Sequence, residues 1–397
     1  MKRFVLNDGH VLGFFVVHGL LLHFAYNPFQ TRMEQIFVVI GLVYAIFYKF
    51  RNSIKNSIDR KSFAFLILFS IVCLISGVLN RNTTENNTFL ATIFFILSIF
   101  FSVFTFSIVH TPTIKSSFLN TIFYLALFYL LINDVLLFFV PSLFLSNGNM
   151  FFLGNKFTVS ALHLLVSGLA FVYNKKMGYL LLLITSLISL YMNAITGLFG
   201  ALMYFLFTLF GKRGRMIIQK PVVSLGILFL CSLLIVFNEN VLYDNPVFKN
   251  IISFFEKEQT INGRLFIYSN VFNVINKSPY FGYGFNSSYS VLSSNHIGVN
   301  AQNGLLENVV QFGYFGLFFL LSFIYSILHL NSANNRKETY YIFLIVLIQF
   351  IESSVEITIG LTFFVYLSFV LFFCQKVNDV GVSYARPNFR NYSFLQF

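Results

Sequence analysis

The chain has 397 residues, 57% hydrophobic and 19% aromatic but only 10% charged, with a mean hydropathy of +0.77. A soluble globular protein carries about 25% charged residues, so that class is excluded. The formal net charge of +12 is spread over many short loops rather than gathered in one patch, which argues against a nucleic-acid partner.

Met1-Lys2-Arg3 and the polar Asn7-Asp8 precede the first apolar run, and no small-residue cleavage pattern follows it, so a retained first span is expected. A run of about 20 apolar residues crosses about 30 Å of hydrocarbon. In chain order such runs lie near 11–26, 36–48, 62–79, 89–109, 118–140, 160–173, 177–192, 195–210, 222–237, 305–328, 341–351 and 357–373. They predict an all-α polytopic membrane protein of about twelve transmembrane helices, with the second and eleventh runs short. Cys73, Cys231 and Cys374 all fall inside apolar runs, which leaves neither a disulfide framework nor a thiolate metal cluster. No metal and no cofactor are expected. His18, His23 and His163 also lie inside runs and are expected to hydrogen-bond between helices.

Lys and Arg gather on the cytoplasmic side of membrane proteins. Nineteen of the 26 basic residues fall on one set of alternate connections, and Arg32, Arg81, Lys156, Lys249, Lys257, Arg264 and Lys277 fall on the other. Both termini are therefore expected in the cytoplasm. Residues 1–237 would carry helices one to nine, 238–304 a large extracytoplasmic loop, 305–373 helices ten to twelve, and 374–397 a cytoplasmic tail. Links between helices are usually about 2–8 residues long, so the outer loop stands apart, and long loops carry function disproportionately.

Within that loop Leu265, Tyr268, Val271, Phe272 and Ile275 recur at helical spacing, with Asn262 suited to the N-cap and Ser278-Pro279 as terminator. An amphipathic helix lying on the membrane surface is expected. Its first turn would set Arg264 beside unpaired backbone N–H groups, a combination that favours a bound phosphate. The planar guanidinium fork matches phosphate oxygens; the alternative is that Arg264 snorkels to lipid headgroups. Gly282 and Gly284 permit a tight turn or close approach to a ligand. Asn295-His296 and Asn300 to Glu307 then lead into the tenth span, where Gly313 and Gly316 would allow close helix contact.

Gly263-Arg264, an aromatic-containing helix, Ser278-Pro279, Gly282-x-Gly284, Gln302-Asn303-Gly304-Leu305-Leu306-Glu307 and Gly313-x-x-Gly316 occur in this order. The set resembles the signature of the O-antigen ligase and O-antigen polymerase superfamily, which includes repeat-unit polymerases of capsule and exopolysaccharide. Gly154-Asn155-Lys156 and the stretch from Asn193 to Gly200 resemble it more weakly. The resemblance implies glycosyl transfer at the outer face of the bacterial cytoplasmic membrane, with a polyprenyl-pyrophosphate-linked oligosaccharide as donor and a sugar hydroxyl as acceptor. It also implies a flippase and a chain-length regulator of the same pathway as partners. Arg264 matches the family arginine that holds the pyrophosphate, and Asn303 the asparagine of a His-Asn pair. Gln302 stands where that histidine would be, and Gln hydrogen-bonds a sugar but accepts no proton at neutral pH. A second family arginine, before the eighth span, has no match in Asn193-Ala194-Ile195-Thr196-Gly197; Lys156 is the substitute.

Breaking a sugar–pyrophosphate bond needs positive charge on the leaving group and a base at the attacking hydroxyl. Arg264 and Lys156 supply the charge, with Gln302, Asn303, Gly282 and Gly284 as further substrate-binding positions. His296, Glu307 and the pair Glu352 and Glu356, four residues apart, are the candidate bases. Glu307 could instead be an acid favoured by the helix dipole, and His296 a solvent-exposed loop residue. The expected activity is polymerisation of repeat units. The alternatives are a ligase moving finished glycan to another acceptor, a lipid-linked-oligosaccharide flippase, or a scaffold without chemistry.

Overall fold

A computed structural model describes residues 6–22, 30–52, 59–82, 88–141, 150–237, 258–333 and 336–375. His23, Lys249, Lys257 and nearly all of the expected tail lie outside the described residues. Helix α1 (Asp8–Val16) begins at Asn7, whose side chain accepts from the amides of Gly9 and His10, and it runs on as a π turn through Val17–Leu21. There follow α2 (Gln30–Arg51), α3 (Arg60–Leu79), α4 (Thr88–Ile108) and α5 (Pro112–Phe139). A two-stranded antiparallel hairpin, β1 (Met150–Phe151) with β2 (Gly154–Asn155), leads into α6 (Lys156–Tyr173). Then come α7 (Lys175–Tyr191), α8 (Ile195–Thr208), α9 (Lys212–Ile218) and α10 (Pro221–Phe237). The outer segment contributes α11 (Glu258–Ile275) and α12 (Ser288–Ser294), before α13 (Gly304–Ser332), α14 (Lys337–Glu352) and α15 (Leu361–Cys374).

Each of the twelve apolar runs overlaps a helix. Six helices, α2 to α6 and α13, are long and apolar enough to cross a membrane, and α9 with α10, bent by 69°, makes a seventh if taken as one span. α1, α8 and α15 are apolar but shorter. The second run, short in sequence, is the middle of a 22-residue helix.

The interior is built around α14 and α15. Tyr340 to Phe350 on one and Phe363 to Phe373 on the other are buried without interruption, the pattern of a helix surrounded by other helices. α2, α3 and α10 instead leave Val43, Leu79 and Val222 exposed, as helices facing lipid do. His18 Nε2 lies 3.0 Å from the Tyr129 hydroxyl, and His163 Nε2 lies 3.2 Å from Asp134 Oδ1. Both histidines thus bridge helices, as their place inside apolar runs suggested.

Two elements depart from the sequence expectation. α11 starts at Glu258, so Asn262 lies within it and Arg264 sits in its second turn rather than at its exposed amides. Its apolar face does not lie on lipid: Ile267, Tyr268, Val271, Val274 and Ile275 pack against Leu292, Ile297, Val309 and Val310 of α12, its following loop and α13. The second departure is a break in α13 at Gly313 (φ 67°, ψ −173°), where sequence suggested only close helix packing.

That break explains the glycine turn before it. The amides of Tyr283 and Gly284 donate to Val310 O (2.9 Å) and Gln311 O (2.8 Å), while Tyr314 N and Phe315 N donate to Pro279 O (2.7 Å) and Tyr280 O (3.2 Å). Backbone groups freed by the break are therefore satisfied by the 279–284 loop, as burial demands. Gly282 (φ 63°) comes so close to α13 that a Cβ would meet Phe312 N at 2.6 Å. The close approach these glycines make is to the chain's own backbone.

Candidate active site

The turn from Ser353 to Gly360 joins the two innermost helices, and the polar residues converge on it. Arg264, reaching from α11, places Nη2 2.7 Å from Glu356 Oε1. The two side chains are 20% and 12% exposed, so the pair is largely withdrawn from water, where attraction is less screened. Arg264 Nε is buried with no partner among the described residues. The pair is reachable from sequence only in part: both residues were candidates, but nothing in their spacing joins positions 92 residues apart.

The start of α13 is fastened to the same turn. Gly304 N donates to Ser353 O (2.7 Å), and Asn303 Nδ2 to Ser354 O (3.1 Å). Asn303 Oδ1 caps the helix, accepting from Leu305 N (3.0 Å) and Leu306 N (3.1 Å), the usual role of an N-cap asparagine. Gln302 adopts a left-handed backbone (φ 50°), and its carbonyl accepts from the Tyr268 hydroxyl at 2.9 Å. The Gln302-Asn303 pair therefore sits between α11, which carries Arg264, and the turn that carries Glu356.

Lys156 opens α6, and its Nζ lies 3.2 Å from the carbonyl oxygen of Asn193, in the turn before α8. That is the segment in which the sequence lacks the second arginine of the resemblance. The ammonium reaches it from another helix. In the second turn of α8, Gly200 lies against Oε1 of Glu352 at the end of α14, with Gln349 Nε2 donating to the other carboxylate oxygen at 2.7 Å. Any side chain at Gly200 would collide with this carboxylate. In the sequence Gly200 marks only the end of the weakly resembling Asn193-to-Gly200 stretch, and Gln349 does not stand out.

Glu307 is 4% exposed and fully engaged. Oε1 accepts from the Ser288 hydroxyl and from Gln311 Nε2 (2.7 Å), and Oε2 from Ala301 N (2.9 Å). It ties α12, the 295–303 segment and α13 together. Gln311, at i+4 from Glu307, could have been found by helical spacing; Ser288 had no such signal. His296 is exposed in the left-handed turn (φ 57°) that closes α12, a position asparagine and histidine tolerate better than most residues. Gly282 and Gly284 serve the break in α13. Nearby, the Tyr283 hydroxyl donates to Val274 O at 2.9 Å, and burial pushes its pKa up. Among the described residues no group of three His, Cys, Asp or Glu side chains is placed to hold a metal ion.

A withdrawn arginine, a helix start with two polar residues and an aromatic-rich helix over them thus lie together. Residues 177–321 match the family model of the O-antigen ligases. The matched stretch runs from α7 into the second half of α13 and is similar to the O-antigen ligase and polymerase superfamily over those residues. Members of that family are membrane enzymes of surface-polysaccharide assembly that act on lipid-linked glycans. Arg264, Gly282, Gly284, His296, Gln302, Asn303 and Glu307 lie inside the matched stretch; Lys156 and Glu356 lie outside it. No curated protein matches the chain.

Proposed function

We propose that the chain polymerises polyprenyl-pyrophosphate-linked oligosaccharide repeat units into a surface polysaccharide at the outer face of the bacterial cytoplasmic membrane. In this reading it has twelve spans and both termini in the cytoplasm, and it works beside a flippase and a chain-length regulator. The observation that carries the proposal is the Arg264–Glu356 pair, a two-donor cation held 2.7 Å from a carboxylate at the turn between the innermost helices.

The pair suggests an exchange of partners. An arriving pyrophosphate takes the guanidinium, whose planar fork suits two of its oxygens, and the carboxylate of Glu356 is released to act as base. The acceptor sugar hydroxyl gives its proton to Glu356 as its oxygen bonds to the anomeric carbon of the donor. The bond from that carbon to the pyrophosphate oxygen breaks, and the electron pair leaves on polyprenyl pyrophosphate. Arg264 holds the growing negative charge, with Lys156 as the second cation. Glu356 is preferred over Glu307 because it faces the Arg264 guanidinium directly, whereas Glu307 holds three segments of the chain together. It is preferred over His296 because that ring is exposed at the end of α12. Asn303 and the Gly282–Gly284 turn act by holding the start and the break of α13 in place, while Gln302 contributes a side chain able to hydrogen-bond sugar.

A second reading, transfer of finished glycan onto another acceptor, is favoured by the matched family's description as a ligase. Deleting the gene and sizing the accumulated lipid-linked glycans separates the two. Single repeat units on the outer face, with no polymer, are expected. Long lipid-linked chains would point to the ligase, and units trapped on the cytoplasmic face would make the protein a flippase and remove the role given to Arg264 and Glu356.

A further inference from the structure

Beside the Ser353–Gly360 turn lies a cavity of about 430 Å³, within the range of about 300–1,000 Å³ typical of small-molecule sites. Four carboxamides face it: Asn286, Asn300, Asn308 and Gln311. Its floor is apolar, with Phe95 and Phe285 stacked at 4.2 Å, and Tyr289, 61% exposed, stands at its rim. No Lys or Arg lines it.

The carboxamides keep hydrogen-bonding capacity for a ligand. Asn308 is only 5% exposed; its NH₂ group donates to Gly304 O (2.7 Å) and Ile359 O (3.1 Å), and its oxygen has no donor among the described residues. Gln311 spends its NH₂ on Glu307 and Ser288, and its side-chain oxygen has no donor among the described residues. Asn300 accepts from Gln302 N (3.1 Å) and retains its NH₂. A lipid chain would desolvate these groups without pairing them, which is costly. A sugar hydroxyl both donates and accepts, as carboxamides do, and the faces of a pyranose ring suit an aromatic rim. The wall carboxylate, Glu307, meets no cation there, so an acidic sugar would be repelled.

We propose that this cavity is a binding subsite for a neutral sugar residue of the glycan. The source of that glycan rests on the function proposed above; the chemistry of the walls does not. Ile357 and Gly360 belong both to the cavity and to the turn that carries Glu356, so a sugar held there is presented beside the Arg264–Glu356 pair.

Saturation-transfer NMR on the full chain in lipid nanodiscs tests the subsite, with galactose, N-acetylglucosamine and glucuronic acid as probes. At least one neutral sugar is expected to take up saturation, and glucuronic acid is not. Asn286→Gly and Tyr289→Ala should each cause loss of that signal. Both side chains are exposed and Asn286 already has φ 61°, so glycine fits there without strain and an unchanged melting temperature confirms the fold. Arg264→Ala should retain the signal. A signal that survives both rim variants, equal saturation of glucuronic acid, or no saturation of any neutral sugar overturns the subsite. Normal polymer from Arg264→Ala cells would sink the proposed function instead, and leaves the saturation result standing by itself.

Discussion

Arg264 binds the leaving group and Glu356 takes the proton in the proposed exchange, so the two should fail differently. Arg264→Ala is expected to abolish polymer with membrane insertion intact, and Arg264→Lys to recover little, because a point charge does not replace the planar fork. Glu356→Gln keeps size and hydrogen bonding but accepts no proton, so polymer should be lost while donor binding persists. Normal polymer from Glu356→Gln would return the base assignment to Glu307 or His296. Lys156→Met should lower polymer yield and Lys156→Arg restore it, since the turn before α8 has no positive charge of its own. Asn303→Ala should destabilise the fold by about 1 kcal/mol through loss of the N-cap, whereas Asn303→Asp keeps the cap oxygen. A polymer assay alone would miss that distinction; thermal unfolding in detergent shows it. Arg264 and Asn303 were legible because each sits in a motif. Glu356 was legible as a candidate base but not as the partner of Arg264, because the two lie 92 residues apart, and the donors on Glu307 come from three separate segments.

Helix α13 shows what a run of apolar residues hides. Its composition reads as one continuous span, yet the backbone turns over at Gly313 and the 279–284 loop fills the gap with four backbone hydrogen bonds. The glycines were visible in sequence as punctuation, but what they approach depends on tertiary placement. Likewise the apolar periodicity of α11 was readable, while the surface it covers was not: protein and lipid ask for the same residues. Gly313→Ala should cost about 1–3 kcal/mol from the left-handed backbone alone, with more from the collision of a Cβ with Tyr280. At Gly284 (φ 93°) an added Cβ would come no closer than 3.3 Å, to Thr88, so Gly284→Ala should be the milder of the two. Ranking the two melting temperatures in detergent checks this, and equal melting would mean that the loop and the break are not a unit.

For the whole molecule, the apolar runs each overlap a described helix, since burial in protein and burial in lipid both exclude charge. They could not rank the spans. α14 and α15 are among the shorter apolar helices yet the most enclosed, because other helices pack around them and leave almost no surface for lipid. Orientation is a separate matter, carried by the basic residues of the connections, nineteen against seven. It decides the chemistry, since a lipid-linked glycan exposed on the outer face reaches Arg264 only if α11 lies on that face. His296 and Lys175 are both exposed and fall on opposite sides of the expected topology. In a background where Cys231→Ser and Cys374→Ser leave only the buried Cys73, His296→Cys should react with a membrane-impermeant maleimide in intact cells. Lys175→Cys should react only after the membrane is permeabilised. The reverse pattern would put Arg264, Glu356 and the cavity in the cytoplasm, where an exported glycan cannot meet them.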